Sequence, residues 1–87
     1  MRAFIQLGDG TSHGGQVISA SGPQVYGKPI ALVGDNVSCP IDGHGVNRIL
    51  SGETRIHIGD RLAALNGFKT ECGCTLIASL SSAGENS

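Results

Sequence analysis

The sequence contains few aromatic residues and few charges, and both shortages exclude classes of protein. Its 87 residues include no Trp, two Phe and one Tyr, so a core has to be built from aliphatic side chains. Only 15% of the residues are charged and the formal net charge is −1. These values exclude a nucleic-acid binder that depends on a basic surface.

Long apolar runs are also missing. The longest, 29–33, is far shorter than the roughly 20 residues that a membrane-spanning helix needs. The N-terminal residues do not include the apolar segment of a secretory signal. We therefore expect no membrane span and no signal peptide, and a protein that is made and folded in the cytoplasm.

Glycine, by contrast, is abundant, at 14 of 87 residues. Apolar stretches are short and closely flanked by glycine, which disfavours helices and suits short strands joined by tight turns. A chain of this size buries a small core, so a metal or a partner would help to stabilise it. We predict a single all-β domain over residues 1–80 and a short polar tail over 81–87.

Two segments have the pattern of a β-hairpin, in which short strands flank a turn that contains glycine. The first turn is predicted at Gly27-Lys28 and the second at Gly59-Asp60. Pro29, just after the first turn, favours the start of an exposed or edge strand.

One pattern recurs three times along the chain. A glycine is followed five residues later by a metal-ligating residue, in the pairs Gly8 and His13, Gly34 and Cys39, and Gly67 and Cys72. An apolar pair then follows each ligand, at Val17-Ile18, Ile49-Leu50 and Leu76-Ile77. The third unit stops before its hairpin. The repeats predict a pseudo-threefold β structure of two full units and a closing half.

Such symmetry would bring His13, Cys39 and Cys72 together around one axis. A short insertion after Cys39 adds His44 at a C-x4-H spacing. Two thiolates and two imidazoles complete a tetrahedral Zn²⁺ site, and this soft donor set disfavours Mg²⁺ and Ca²⁺. A closed site leaves no position for water. We predict one structural Zn²⁺ per chain, held by His13, Cys39, His44 and Cys72.

Two residues compete for places in this set. Cys74 lies two residues from Cys72, and His57 offers a third imidazole. The repeat favours Cys72 and places His57 within a strand. Asp9 and Asp35 follow turn glycines, and an Asx turn explains them without catalysis. No catalytic constellation is present, so we expect a protein that is not an enzyme.

The sequence resembles the PAAR-repeat proteins over about residues 2 to 80. The resemblance rests on the segments 11–15, 27–35 and 38–40 and on His44-Gly45. The Pro-Ala-Ala-Arg motif that names the family is altered to Pro29-Ile30-Ala31-Leu32 and Leu62-Ala63-Ala64-Leu65, and neither copy carries the arginine.

The resemblance implies a small Gly-rich cone that caps the trimeric VgrG spike of a type VI secretion system, with one tip per trimer. The pseudo-threefold base would dock on the spike, and a Zn²⁺ near the vertex would hold the point. Family sites often contain three His and one Cys, a pattern that would need His57. The chain would be exported on the spike and would touch the target membrane transiently.

Further expectations follow from the resemblance. Many family members carry a toxin extension, whereas this chain would be a bare tip, monomeric alone, with any effector carried on another protein. The hairpins would form the docking surface, with Ile30 and Leu62 among its apolar residues. The alternative is a small cytosolic zinc-binding adaptor or redox module that is unrelated to secretion.

Overall fold

The computed structural model describes residues 2–40, 43 and 45–79 and the backbone of 84–85. Regular structure in these residues consists of short strands: β1 (Arg2–Ala3), β2 (Gly10–Thr11), β3 (Gln16–Val17), β4 (Gln24–Val25), β5 (Lys28–Pro29), β6 (Asn36–Ser38), β7 (Val46–Arg48), β8 (His57–Ile58), β9 (Arg61–Leu62), β10 (Leu76–Ile77) and β11 (Gly84–Glu85). The all-β prediction is confirmed. Within the same residues there is no helix with the length and apolarity to cross a membrane.

The strands form one larger sheet and three ribbons. The sheet is antiparallel, in the order β10-β2-β3-β6-β7. Each ribbon is an antiparallel pair: β4 with β5, β8 with β9, and β1 with β11. The molecule is elongated, with principal extents of 35 × 23 × 21 Å.

A closed ring of backbone hydrogen bonds marks the pseudo-threefold axis. The Ile5 N–H donates to the Ala64 carbonyl at 3.0 Å, the Ala64 N–H to the Ala31 carbonyl at 2.9 Å, and the Ala31 N–H to the Ile5 carbonyl at 2.7 Å. All three residues are completely buried. Three chain segments therefore meet around one line, as the repeats predict.

The three repeat glycines occupy equivalent turns. Gly8, Gly34 and Gly67 have φ values of 89°, 96° and 93°, a region that residues with a Cβ rarely enter. Each donates its N–H to the buried member of an apolar pair, at Val17, Ile49 and Leu76 respectively. The predicted spacing of the units is confirmed by this shared hydrogen bonding.

The third ribbon joins segments from opposite ends of the sequence. Arg2 pairs with Glu85 and Ala3 with Gly84. The Ala3 carbonyl accepts from the Asn66 N–H, just as the Pro29 and Leu62 carbonyls accept from Leu7 and Val33. Among the described residues the third unit has no hairpin of its own, and β11 and β1 form the equivalent ribbon instead, which the sequence did not predict. β11 lies within 81–87, the segment expected to be a polar tail.

The first hairpin turn differs from its prediction by one residue. Gln24 pairs with Pro29 and Val25 with Lys28, which leaves Tyr26-Gly27 as the turn. An aromatic residue is a weak turn signal, so the sequence favoured the next glycine-containing pair. The second turn lies at Gly59-Asp60, as predicted, between β8 and β9.

The core is aliphatic, with Phe68 as its one fully buried aromatic residue among those described. Its main cluster comprises Ile5, Val17, Ala31, Val37, Ile49, Ala64, Leu65, Phe68 and Leu76. A smaller cluster contains Ile30, Leu32 and Ala63. Ile30 is 1% exposed, so its predicted place on a docking surface is wrong, because the strand after Pro29 turns inward toward the ring. Leu62 is half-buried.

Candidate metal centre

Three of the predicted ligands converge at one place. One donor atom from each of His13, Cys39 and Cys72 lies within 4.8 Å of the others. His13 follows β2 and Cys39 follows β6, while Cys72 lies in the turn that precedes β10. Because each is the fifth residue after an equivalent glycine turn, the symmetry of the backbone delivers the three side chains to a common point.

The separation of two of these donors suits a tetrahedral ion. The His13 Nδ1 and Cys39 Sγ atoms are 3.7 Å apart. Bond lengths of about 2.1 Å for Zn–N and about 2.3 Å for Zn–S at tetrahedral angles separate N and S by about 3.6 Å. One imidazole and two thiols thus form a group that could hold a metal ion, with soft donors that fit Zn²⁺.

The surroundings of Cys72 favour the form of its side chain that binds metal. A hydrogen bond with the Thr70 hydroxyl, 3.3 Å away, is the largest influence on the thiol and lowers its pKa. Burial acts in the opposite direction, while hydrogen bonds from Cys74 and Cys39 lower the pKa further, to about 5. The lowered pKa favours the thiolate, the form that serves as a metal ligand.

His44, the fourth predicted ligand, lies outside the described residues. Two described residues on either side of it are joined directly, because the Cys39 N–H donates to the Gly45 carbonyl at 2.9 Å. The described part of the centre consequently comprises three donors.

Neither competitor belongs to the group. The Cys74 Sγ lies 3.6 Å from the Cys72 Sγ, but Cys74 is completely buried and is not one of the three converging residues. His57 is an exposed residue of β8 and pairs with Leu62. Both residues have places in the fold that do not depend on a metal.

Thr70 is a residue of the centre that the sequence analysis missed. Its buried hydroxyl lies 3.3 Å from the Cys72 Sγ and 2.9 Å from the Cys74 Sγ. In the first unit, Thr11 uses its hydroxyl to accept the His13 N–H at 3.3 Å. A threonine two residues before the ligand in both units was the signal that could have identified this support.

The two aspartates after the turn glycines have structural partners. The Asp9 and Asp35 carboxylates accept the N–H of Gln6 and Leu32, each at 2.8 Å. Burial raises the pKa of Asp35, but hydrogen bonds from Ser21, Leu32 and Arg61 outweigh it and bring the pKa below its usual value. Both carboxylates close a turn, as expected, but they accept the N–H three residues earlier and so do not form the expected Asx turn.

A family model described as the PAAR motif matches residues 7–78. The chain belongs to the PAAR-motif family. A search of curated proteins found no match. Membership confirms the resemblance and identifies a protein associated with the tip of a type VI secretion spike, in a family of structural proteins that the system secretes. The PAAR motif is also known for metal binding, which agrees with the converging donors.

Proposed function

We propose that this PAAR-motif chain is a structural tip that caps a trimeric VgrG spike, one tip per trimer. The closed ring of Ile5, Ala31 and Ala64 carries this proposal. A single chain that repeats one unit three times around an axis can present nearly the same surface to each subunit of a threefold partner. A monomeric adaptor has no need of this symmetry.

The proposed metal is one Zn²⁺, held by His13, Cys39, His44 and Cys72. Residues beside these ligands are mainly glycine and serine, which bury little apolar area. A metal that ties several chain segments together supplies stabilisation that packing does not provide there. The proposed role of the metal is to hold the chain segments of the vertex together when force acts on the tip.

The proposed docking surface is the end that carries the ribbons. In each unit the chain runs from a ribbon to the ring, then to the glycine turn and finally to the ligand. The ribbons and the metal centre are therefore separated along this path by the core. Docking through the ribbons leaves the metal end free to lead, where it would touch a target membrane during export. Effector proteins would be linked to the tip as separate chains.

The experiment combines binding and metal analysis. The purified chain is mixed with the VgrG trimer from the same genome, and light scattering after size exclusion should give one chain per trimer. Native mass spectrometry should show one Zn²⁺ per chain. A zinc-loaded, folded chain that does not bind any VgrG trimer would overturn the tip assignment and favour the adaptor.

Changes of surface charge test which end of the chain docks on the VgrG trimer. Lys28→Glu changes an exposed ribbon residue, and we expect it to weaken VgrG binding. Gln16→Lys changes an exposed residue of β3, close to the metal centre in sequence, and should bind like the unaltered chain. The opposite pattern would place the interface at the metal end.

A further inference from the structure

Tyr26 has an unusual combination of backbone conformation and exposure. Its φ is 51°, and it is the one non-glycine residue with positive φ in the described part of the chain. It lies at the tip of the β4–β5 ribbon, and 70% of its surface is exposed. Gly27 follows with φ of 84°, so both turn residues have the signs of a type I′ turn. Such a turn prefers Asn, Asp or Gly at the position of Tyr26.

The buried side chain of Gln6 contacts the backbone on both sides of this turn. The Gln6 side-chain amide donates to the Val25 carbonyl at 2.5 Å and contacts the Lys28 carbonyl at 3.4 Å, one on each side of the turn. Gln6 is only 3% exposed. The equivalent residues of the other units, Leu32 and Leu65, have no amide to offer. The clamp is therefore specific to the ribbon that carries the tyrosine.

A positive φ at a bulky residue such as Tyr26 costs free energy in the folded chain. Strained conformations persist only where the surrounding structure enforces them, and they concentrate at functional sites. At the second ribbon the corresponding turn residue is Gly59, which meets the same requirement without strain. An exposed tyrosine on a turn whose flanking backbone is held by hydrogen bonds is also the kind of side chain that anchors protein interfaces.

We propose that Tyr26 is the anchor residue of the docking surface and that it fills a pocket on the threefold end of the spike. The inference rests on the proposed tip function. The partner that receives Tyr26 is inferred from the position of this residue, because Tyr26 lies on one of three equivalent ribbons around the axis. A threefold partner would offer three equal pockets to this single tyrosine, and the tip would seat in three equivalent rotational settings.

The test separates binding from folding. Tyr26→Asn suits the turn and should leave the melting temperature unchanged or higher. It should weaken binding to the VgrG trimer by about tenfold or more. Tyr26→Phe keeps the ring and should bind within about threefold of the unaltered chain. Val46→Asn removes a similarly exposed apolar side chain from β7, outside the ribbons, and as the matched control it should have no effect on affinity.

The outcomes distinguish the inference from the function beneath it. If the unaltered chain does not bind the trimer, both fail. If it binds and Tyr26→Asn binds equally well, the anchor fails and the tip function stands. Vesicles of phosphatidylethanolamine and phosphatidylglycerol provide the remaining arm. Loss of vesicle binding by Tyr26→Asn, with spike binding intact, would overturn the inference in favour of membrane contact.

Discussion

The Sγ atoms of Cys72 and Cys74 lie 3.6 Å apart, yet only Cys72 shares a site with His13 and Cys39. The Thr70 hydroxyl contacts both sulfur atoms. Cys74 is completely buried, whereas Cys72 is partly exposed and is one of the three converging donors. Two cysteines that are neighbours in space therefore have different surroundings, and we expect them to have different roles.

Serine substitutions should separate these roles. Cys72→Ser removes a thiolate donor, and we expect it to lose Zn²⁺ under native mass spectrometry. Cys74→Ser keeps a small polar group beside Thr70 and should retain one Zn²⁺ per chain, with a stability loss of about 1 kcal/mol. Metal retained by the first variant and lost by the second would exchange the two assignments.

A close backbone approach next to the centre should make Gly15 irreplaceable. A Cβ at this position would overlap the Ser38 carbonyl oxygen and force β3 away from β6. We expect Gly15→Ala to cost about 3 kcal/mol in thermal or denaturant unfolding. Gly10→Ala is the matched control in the adjacent strand, where the nearest atom would be 3.8 Å away. Equal stability of the two variants would contradict the packing described here.

Asp35 should make the fold sensitive to acid. The Ser21 Oγ donates to its carboxylate at 2.6 Å and the Arg61 guanidinium at 3.1 Å, and the pKa of Asp35 is lowered in the folded chain. A lowered folded pKa gives stability that is present above the unfolded value of about 3.9 and is lost as the pH falls through the folded pKa.

Asp35→Asn should therefore cost about 1–2 kcal/mol at pH 7, and its difference from the unaltered chain should shrink below about pH 4. Urea unfolding across this range measures both quantities. Asp60→Asn changes an exposed aspartate in the same ribbon as Arg61 and should show neither effect. A constant difference at all pH values would show that the carboxylate charge is not responsible.

Metal removal should loosen the vertex before the base. In a His44→Ala variant, hydrogen exchange should rise first in residues 10–15, 37–46 and 70–75. The ribbon segments 24–33 and 55–65 should remain more protected, since the ring and the aliphatic core hold them. Uniform loss of protection would indicate a fold that depends on zinc throughout. Unchanged protection near the ligands would place the metal elsewhere.

The sequence was sufficient to predict the repeats and the convergence of three donors. Glycine at 8, 34 and 67 satisfies a backbone requirement that few other residues meet, so the turn pattern is visible without a structure. His13, Cys39 and Cys72 then follow from equal spacing. Donors placed by local rules of this kind are predictable.

Features that depend on distant contacts were not predictable in the same way. Pairing of β1 with β11 joins segments far apart in sequence, and no local signal specifies it. The turn at Tyr26 depends on a clamp from Gln6, which belongs to another part of the chain. Thr70 acts through sulfur contacts that exist only after the turn at Cys72 has formed.

The ring formed by Ile5, Ala31 and Ala64 has a consequence for cooperativity. Each of its hydrogen bonds takes its donor from one unit and its acceptor from another, so no unit can form the ring alone. Closing it requires the chain to return on itself, which carries a loop-closure entropy cost. In a linear repeat array, by contrast, units can fold from neighbour to neighbour. Here the ring forms only when all three units are folded, so the chain should unfold in a single all-or-none transition.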